Sequence, residues 1–65
     1  MLKNKIRNAR LEHGLTQLEL AQMISVSRKT INTIENGVFI PSTVLALKLA
    51  KTLKVKVEEL FWLAG

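Results

Sequence analysis

The sequence predicts an all-α domain of five short helices around one small hydrophobic core. Two observations support this fold class. Apolar residues recur at three- and four-residue spacing through most of the chain, which is the periodicity of amphipathic helices. Capping residues and glycines then divide this pattern into short segments. Because 65 residues suffice for one small core and no more, we expect residues 1–65 to form a single domain.

The first helix is predicted from about Lys3 to His13. Leu2, Ile6 and Ala9 recur at intervals of four and three, which gives this helix a narrow buried face. His13 stands at the end of the helix, where a cationic side chain is mildly favoured. We therefore interpret His13 as structural and not as catalytic.

The central stretch, residues 16–37, predicts two short helices joined by a tight turn. Thr16 is followed three residues later by Glu19, which is the pattern of a capping box at a helix start. Ser27 supplies a second N-cap, and Gly37 can adopt the left-handed conformation that ends a helix. The two segments together have the dimensions of a helix-turn-helix.

The second of these helices, Ser27–Asn36, has one apolar side and one polar side. Ile31 and Ile34 share the inward side, whereas polar residues occupy the outward side at about 100° per residue. Insertion into the DNA major groove requires such a polar outward face. The spacing alone equally allows an ordinary helical hairpin with a solvated face.

The residue types in this stretch resemble those of the Cro and phage-repressor class of helix-turn-helix regulators, also called the xenobiotic-response-element family. The resemblance extends over essentially all 65 residues. The segments that carry it are GLTQ at 14–17, ELA at 19–21, VSRKTI at 26–31, IENG at 34–37 and PS at 41–42. It implies a five-helix, phage-repressor-like fold and a DNA-binding transcriptional regulator, with a repressor as the expected type.

Three residues at turns and helix starts depart from the pattern of this family. Ser25 and Lys54 stand where relatives commonly carry glycine, and Lys56 stands where they often carry a capping serine. The resemblance therefore does not determine the turn geometry at these positions.

The resemblance also indicates which residues contact DNA. Arginine and lysine match the acceptors of guanine, and asparagine matches adenine. The predicted base-reading residues are Ser27, Arg28, Lys29, Asn32 and Thr33. Gln17 lies at a helix start, where the backbone N–H groups favour binding of a phosphate. Gln17 and Asn36 are therefore expected to contact the DNA backbone.

By the same resemblance, Arg10 and Glu35 form a structural ion pair between the first helix and the recognition helix. The alternative is two independent surface charges, since most ion pairs are exposed and weak.

The last third of the chain predicts two more helices. Ser42 caps the fourth, Thr43–Leu53, which has the largest apolar stripe, and Phe39 in the preceding loop is expected to fill the core. The fifth is predicted over Val57–Leu63.

The large apolar residues of this fifth helix suggest a homodimer. Phe61, Trp62 and Leu63 cannot all face the core on a helix that turns about 100° per residue. One copy also reads too few base pairs to be selective, so a symmetric dimer on a pseudo-palindromic operator is expected. The alternative is a monomer in which Trp62 covers the core.

Composition excludes several other classes of protein. Ten Lys and Arg against five Asp and Glu give a net charge of +5, which favours a polyanionic partner such as double-stranded DNA. The chain has no cysteine and one histidine, so no disulfide, thiolate site or zinc cluster is expected. No catalytic residues, metal or cofactor are predicted. No apolar run is long enough to span a bilayer, and a cytoplasmic location is expected.

The sequence is also compatible with a second function. Five residues are apolar where relatives tend to be polar: Leu11, Leu18, Met23, Val38 and Ile40. They could form a patch for a protein partner, as in a small antitoxin that contacts DNA only secondarily, or be scattered exposed apolar residues.

Overall fold

Five helices and a small antiparallel sheet make up the chain, and the computed structural model describes all of its residues, 1–65. The elements are β1 Leu2–Asn4, α1 Ile6–Glu12, α2 Gln17–Met23, α3 Arg28–Glu35, α4 Thr43–Leu53, α5 Val57–Leu60 and β2 Phe61–Leu63. The predicted all-α, five-helix fold class is confirmed, and the two strands are an addition to it. None of the helices combines the length and the apolar character that crossing a membrane demands.

The starts of three helices follow the predicted capping residues. Thr16 and Glu19 form a reciprocal capping box at the start of α2: Glu19 N–H donates to Thr16 Oγ1 at 3.0 Å, and Thr16 N–H donates to Glu19 Oε1 at 2.9 Å. The hydroxyls of Ser27 and Ser42 accept from backbone N–H groups three residues later, at the starts of α3 and α4. Each cap satisfies a donor that has no partner within its helix, which stabilises the helix by about 1 kcal/mol.

The hydrophobic core lies where the five helices converge. It contains eleven buried apolar residues, and every helix contributes at least one. They are Ile6, Ala9, Leu20, Ala21, Ile24, Ile31, Ile34, Leu49, Ala50, Leu53 and Leu60. Because α2 and α3 both insert residues into this cluster, the helix-turn-helix is part of the core packing and not an appendage.

The two ends of the chain pair with each other, which corrects two predicted helix boundaries. The first helix begins at Ile6 and not at Lys3, and the last ends at Leu60 and not at Leu63. Residues 2–4 pair in antiparallel register with residues 61–63, with Leu2 opposite Leu63. The facing backbone groups of the two ends hydrogen-bond to each other, and the alternating side chains of the extended backbone allow Phe61 to pack on the core.

Two side chains lie elsewhere than expected. Phe39 is 48% exposed and does not fill the core, because the loop backbone is held on the surface by hydrogen bonds from Val38 and Phe39 N–H to Thr33 O at 2.9 and 3.2 Å. His13 is exposed, and its Nε2 lies 2.8 Å from Leu53 O, so it links the end of α1 to the end of α4.

The turns at Ser25 and Lys54 keep the left-handed geometry that glycine adopts most easily. Ser25 has φ of 60° and Lys54 has φ of 58°. The backbone at both turns is therefore of the glycine type, and the side chains are tolerated at a steric cost of about 1–2 kcal/mol per residue.

We expect Lys54→Gly to stabilise the protein by about 0.5–1 kcal/mol, since relief of the left-handed strain exceeds the greater backbone entropy of glycine in the unfolded chain. Lys51→Gly, three residues earlier inside α4, is the control and should destabilise by about 1 kcal/mol. Urea unfolding of the three proteins measures both changes. Equal destabilisation by the two substitutions would mean that Lys54 is not left-handed in solution.

Candidate nucleic-acid interface

Helix α3 carries most of the residues predicted to contact DNA. Ile31 and Ile34 are fully buried and fix one side of the helix to the core, each contributing about 1.5–3 kcal/mol. Arg28 and Lys29 are exposed at the other side, in the first turn. A firmly packed helix therefore presents two cations to solvent.

Two of the predicted base-reading hydroxyls form hydrogen bonds within α3. Ser27 Oγ accepts from Thr30 N–H at 3.1 Å and shares a hydrogen bond of 2.9 Å with the Thr30 hydroxyl. Thr33 Oγ1 donates to Lys29 O and Thr30 O, both at 3.0 Å. Both hydroxyls stabilise the helix in this structure, which leaves the neighbouring cations as the freer polar groups.

The Gln17 side chain lies between α2 and α3. Its Nε2 donates to Asn32 Oδ1 at 3.2 Å and to Glu35 Oε1 at 3.1 Å. Because a carboxylate can only accept, the amide nitrogen must face Glu35, and the amide oxygen accepts from Arg28 Nη1 at 3.2 Å. Gln17 therefore connects a predicted base-reading arginine to the interior of the helix pair.

Asn36, at the other end of α3, is arranged in a similar way. Its Nδ2 donates to Asn32 O at 2.8 Å and to Asn32 Oδ1 at 3.2 Å. Its Oδ1 accepts from Arg7 Nη2 at 3.3 Å. Neither of the two amides predicted to contact the DNA backbone thus has an unused side-chain N–H.

The predicted partners Arg10 and Glu35 lie in direct contact. Arg10 Nε donates to Glu35 Oε2 at 2.7 Å and Arg10 Nη2 donates to Oε1 at 3.2 Å, which is a bidentate pair. Arg10 Nη1 also donates to Leu15 O at 2.9 Å. The guanidinium of α1 therefore joins the loop before α2 to the last turn of α3.

Burial by itself would raise the pKa of Glu35. The hydrogen bonds from Arg10 and Gln17, the charge of Arg10 and the hydrogen bond from Arg7 outweigh this effect, so the pKa of Glu35 is lowered from its ordinary value of 4.5. The carboxyl group is ionised at neutral pH, and its charge holds the surrounding donors in place.

Glu35 and the side chains that donate to it form a hydrogen-bond network. Two polar residues, one in this network and one beside it, were not identified from the sequence. Arg7 contacts Glu35 Oε1 at 3.4 Å, and its place three residues before Arg10 on one helix face was the available signal. Asn4 Nδ2 donates to Ile34 O at 2.9 Å, while its Oδ1 accepts from Ile6 N–H at 3.1 Å. Asn4 thereby joins β1 to the end of α3 and satisfies a donor at the start of α1.

The three residues predicted to form a dimer interface lie on β2 and not on a helix. Phe61 is half-buried and packs against the core, whereas Trp62 is 43% exposed and Leu63 is 81% exposed. The structure thus separates this set into one core residue and two surface residues.

The five apolar residues noted as a potential partner patch are all exposed. Leu11 is on α1, Leu18 and Met23 are on α2, and Val38 and Ile40 lie in the loop after α3. They therefore belong to three different elements of the fold.

The charged groups are suited to an anion and not to a metal ion. No three His, Asp or Glu side chains lie close enough together to hold a metal ion. Arginine and lysine side chains, in contrast, line both ends of α3, and they provide the donors that phosphate groups and guanine edges accept.

The lowered pKa of Glu35 makes stability depend on pH. Because the pKa is lower in the folded chain than in the unfolded one, the stabilisation is complete above about pH 4.5 and decreases as the pH falls through the folded pKa. We expect Glu35→Gln to lose this part of the acid dependence, whereas Glu58→Gln, which changes an exposed carboxylate outside the network, retains it. Urea unfolding between pH 2.5 and 7 measures the free energy of unfolding of each protein as a function of pH. If Glu35→Gln showed the same pH dependence as the wild type, Glu35 would not be the source of this acid dependence.

Comparison with known proteins identifies the class of this chain. Residues 6–60 match the helix-turn-helix family model HTH_3. The chain is 40% identical over 62 residues to the uncharacterized HTH-type transcriptional regulator YgzD of Bacillus subtilis, covering 95% of this chain and 94% of YgzD. It is 48% identical over 60 residues to the uncharacterized HTH-type transcriptional regulator MJ0272 of Methanocaldococcus jannaschii, covering 92% and 91% of the two chains.

A solved structure shares both fold and sequence with it. The restriction-modification controller protein C.AhdI from Aeromonas hydrophila superposes with a TM-score of 0.76 and 33% identity, over 83% of this chain and 78% of that protein. The chain therefore belongs to the helix-turn-helix family, in its Cro and phage-repressor-like class, which is a family of DNA-binding transcriptional regulators and not of enzymes.

Proposed function

We propose that this protein is a sequence-specific transcriptional repressor that binds double-stranded DNA as a homodimer and inserts the helix Ser27–Asn36 into the major groove. The observation that carries this proposal is the exposed basic start of α3, where Arg28 and Lys29 project from a helix whose other side is buried. The net charge of +5 favours the same polyanionic partner.

Arg28 and Lys29 are the main base-reading residues of this proposal. Both have free N–H donors for the O6 and N7 acceptors of guanine. Asn32 and Thr33 lie on the same side of the helix as Lys29, and Ser27 is its exposed N-cap. Their side chains would read bases after exchanging an internal hydrogen bond for one to DNA. Gln17 would meet a phosphate through its backbone N–H at the start of α2, while its side chain holds Arg28.

Repression is the simplest regulatory outcome of this architecture. A protein that occupies promoter DNA excludes the transcription machinery by its presence and needs only affinity and position. Activation would require, in addition, a surface that recruits a second protein. The names of the relatives as transcriptional regulators support a regulatory role in general.

A homodimer follows from the small number of base pairs that one recognition helix can read. Specific sites must be distinguished from about 10⁶–10⁹ competing sites in a genome, which one helix cannot achieve. Two copies related by two-fold symmetry would place their α3 helices about 34 Å apart on a pseudo-palindromic operator. Trp62 and Leu63 are exposed on β2 and would contribute to the interface, with Phe61 supporting them from the core side.

We expect Arg28→Ala and Lys29→Ala each to lower the affinity for the operator by about 1–3 kcal/mol more than the affinity for unrelated DNA. Lys48→Ala removes a positive charge from the exposed side of α4 and is the control. Selection from a random DNA pool supplies the operator, and fluorescence anisotropy at fixed salt measures both affinities. An unchanged specificity ratio in both variants would refute the proposed reading face.

The dimer is tested by sedimentation equilibrium at micromolar concentration. The wild type should sediment as a dimer, and Trp62→Ala or Leu63→Ser should shift it towards the monomer, because each removes exposed apolar area from β2. Met23→Ser, which changes an exposed apolar residue at the end of α2, is the matched control. A monomeric wild type that also occupies DNA one copy at a time would exclude the dimer.

The second candidate function is a protein-binding regulator, such as a small antitoxin that contacts DNA only secondarily. The exposure of all five residues of the potential patch favours it: Leu11, Leu18, Met23, Val38 and Ile40. Monomeric proteins rarely expose large apolar patches without a function. A gel shift separates the two: retardation of DNA by the purified protein supports the repressor, and retardation only after addition of a partner supports the alternative.

A further inference from the structure

We propose that Arg7 binds a DNA phosphate at the C-terminal end of α3, in the role predicted for the Asn36 side chain. This inference rests on the proposed DNA binding and adds a contact residue to it. Arg7 belongs to α1, outside the helix-turn-helix, and its contacts with Glu35 and Asn36 bring its guanidinium to the end of the recognition helix.

The charge of Arg7 is not balanced by its contact with Glu35. Arg10 already engages both carboxylate oxygens, at 2.7 and 3.2 Å, and Gln17 donates to Oε1 as well. Arg7 reaches the same Oε1 only at 3.4 Å, which is the longest of these contacts. One carboxylate faces two guanidinium groups, so the cluster of Arg7, Arg10 and Glu35 keeps one unit of positive charge.

This surplus charge lies at the surface. The Arg7 side chain is 54% exposed, compared with 10% for Arg10 and none for Glu35. Arg10 is therefore committed to the interior, and Arg7 is the member of the cluster that an external anion can reach.

The neighbouring amide accepts from Arg7 and has its own donors engaged. Both N–H groups of Asn36 Nδ2 are used within α3, so this side chain has no unused donor for a phosphate. Its Oδ1 instead accepts from Arg7 Nη2 at 3.3 Å. A guanidinium carries five N–H donors, and three of those in Arg7 have no partner in this structure.

The chemistry of these remaining donors fits a phosphate. Planar guanidinium groups bind phosphate oxygens in a bidentate manner, and the weak contact with Glu35 would cost little to exchange. The arrangement repeats the one at the other end of α3, where the oxygen of Gln17 holds Arg28. An amide oxygen thus orients an arginine at each end of the recognition helix.

The test is the salt dependence of binding to a duplex of random sequence, measured by fluorescence anisotropy over a series of KCl concentrations. Arg7→Gln should reduce the slope of log K against log salt by about 0.9 for each copy bound, since one phosphate contact is lost. Lys48→Gln, which removes an equal charge from α4 outside the cluster, should retain the wild-type slope.

Arg7→Lys distinguishes a phosphate contact from a structural role. A lysine cation also binds phosphate, so this variant should restore the slope. Both Arg7 variants should keep a urea midpoint close to that of the wild type, because Arg10 and Gln17 still hold Glu35 when the long contact of Arg7 is lost. A wild-type slope in Arg7→Gln would overturn the inference, as would a loss of affinity that is accompanied by a lower urea midpoint and is not restored by lysine. Absence of salt-dependent binding in the wild type would instead refute the proposed function itself.

Discussion

One buried carboxylate, Glu35, determines how the recognition helix is attached to the rest of the molecule. Its side chain has no exposed surface, and its oxygens accept from Arg10 and Arg7 of α1 and Gln17 of α2. Burial of a charge costs several kcal/mol, and only paired, hydrogen-bonded partners offset this cost. The position and rotation of α3 that satisfy all these donors are therefore strongly favoured over any others, in a chain whose apolar core is small.

The same network decides which polar groups remain available for DNA. Because Gln17 donates inward to Glu35 and Asn36 donates to its own helix, the oxygens of both amides point to arginines. Arg28 and Arg7 thus occupy the two ends of α3 with unused donors. Hydrogen bonding thus links structure and proposed function: the amide donors are engaged inside the helix pair, whereas the guanidinium groups of Arg28 and Arg7 beside them keep unused donors.

The sequence predicted the features that depend on neighbours along the chain, such as the caps at Thr16, Ser27 and Ser42 and the buried sides of α3 and α4. It did not predict the pairing of residues 2–4 with 61–63, because strands join distant segments and each is only three residues long. The involvement of Arg7 and the use of the Gln17 and Asn36 donors were also missed. Both depend on which partners the fold brings together, whereas periodicity reveals only which face a residue occupies.

The central claim is most directly tested by a double-mutant cycle between Arg10→Met and Glu35→Gln, measured by urea unfolding at pH 7. Each single change leaves a buried polar group without its partner, so each should destabilise strongly, and the coupling should be well above 1 kcal/mol. Arg10→Met combined with Glu58→Gln serves as the uncoupled control. Additivity of the Arg10 and Glu35 changes within about 0.5 kcal/mol would contradict the claim that this contact fixes the recognition helix.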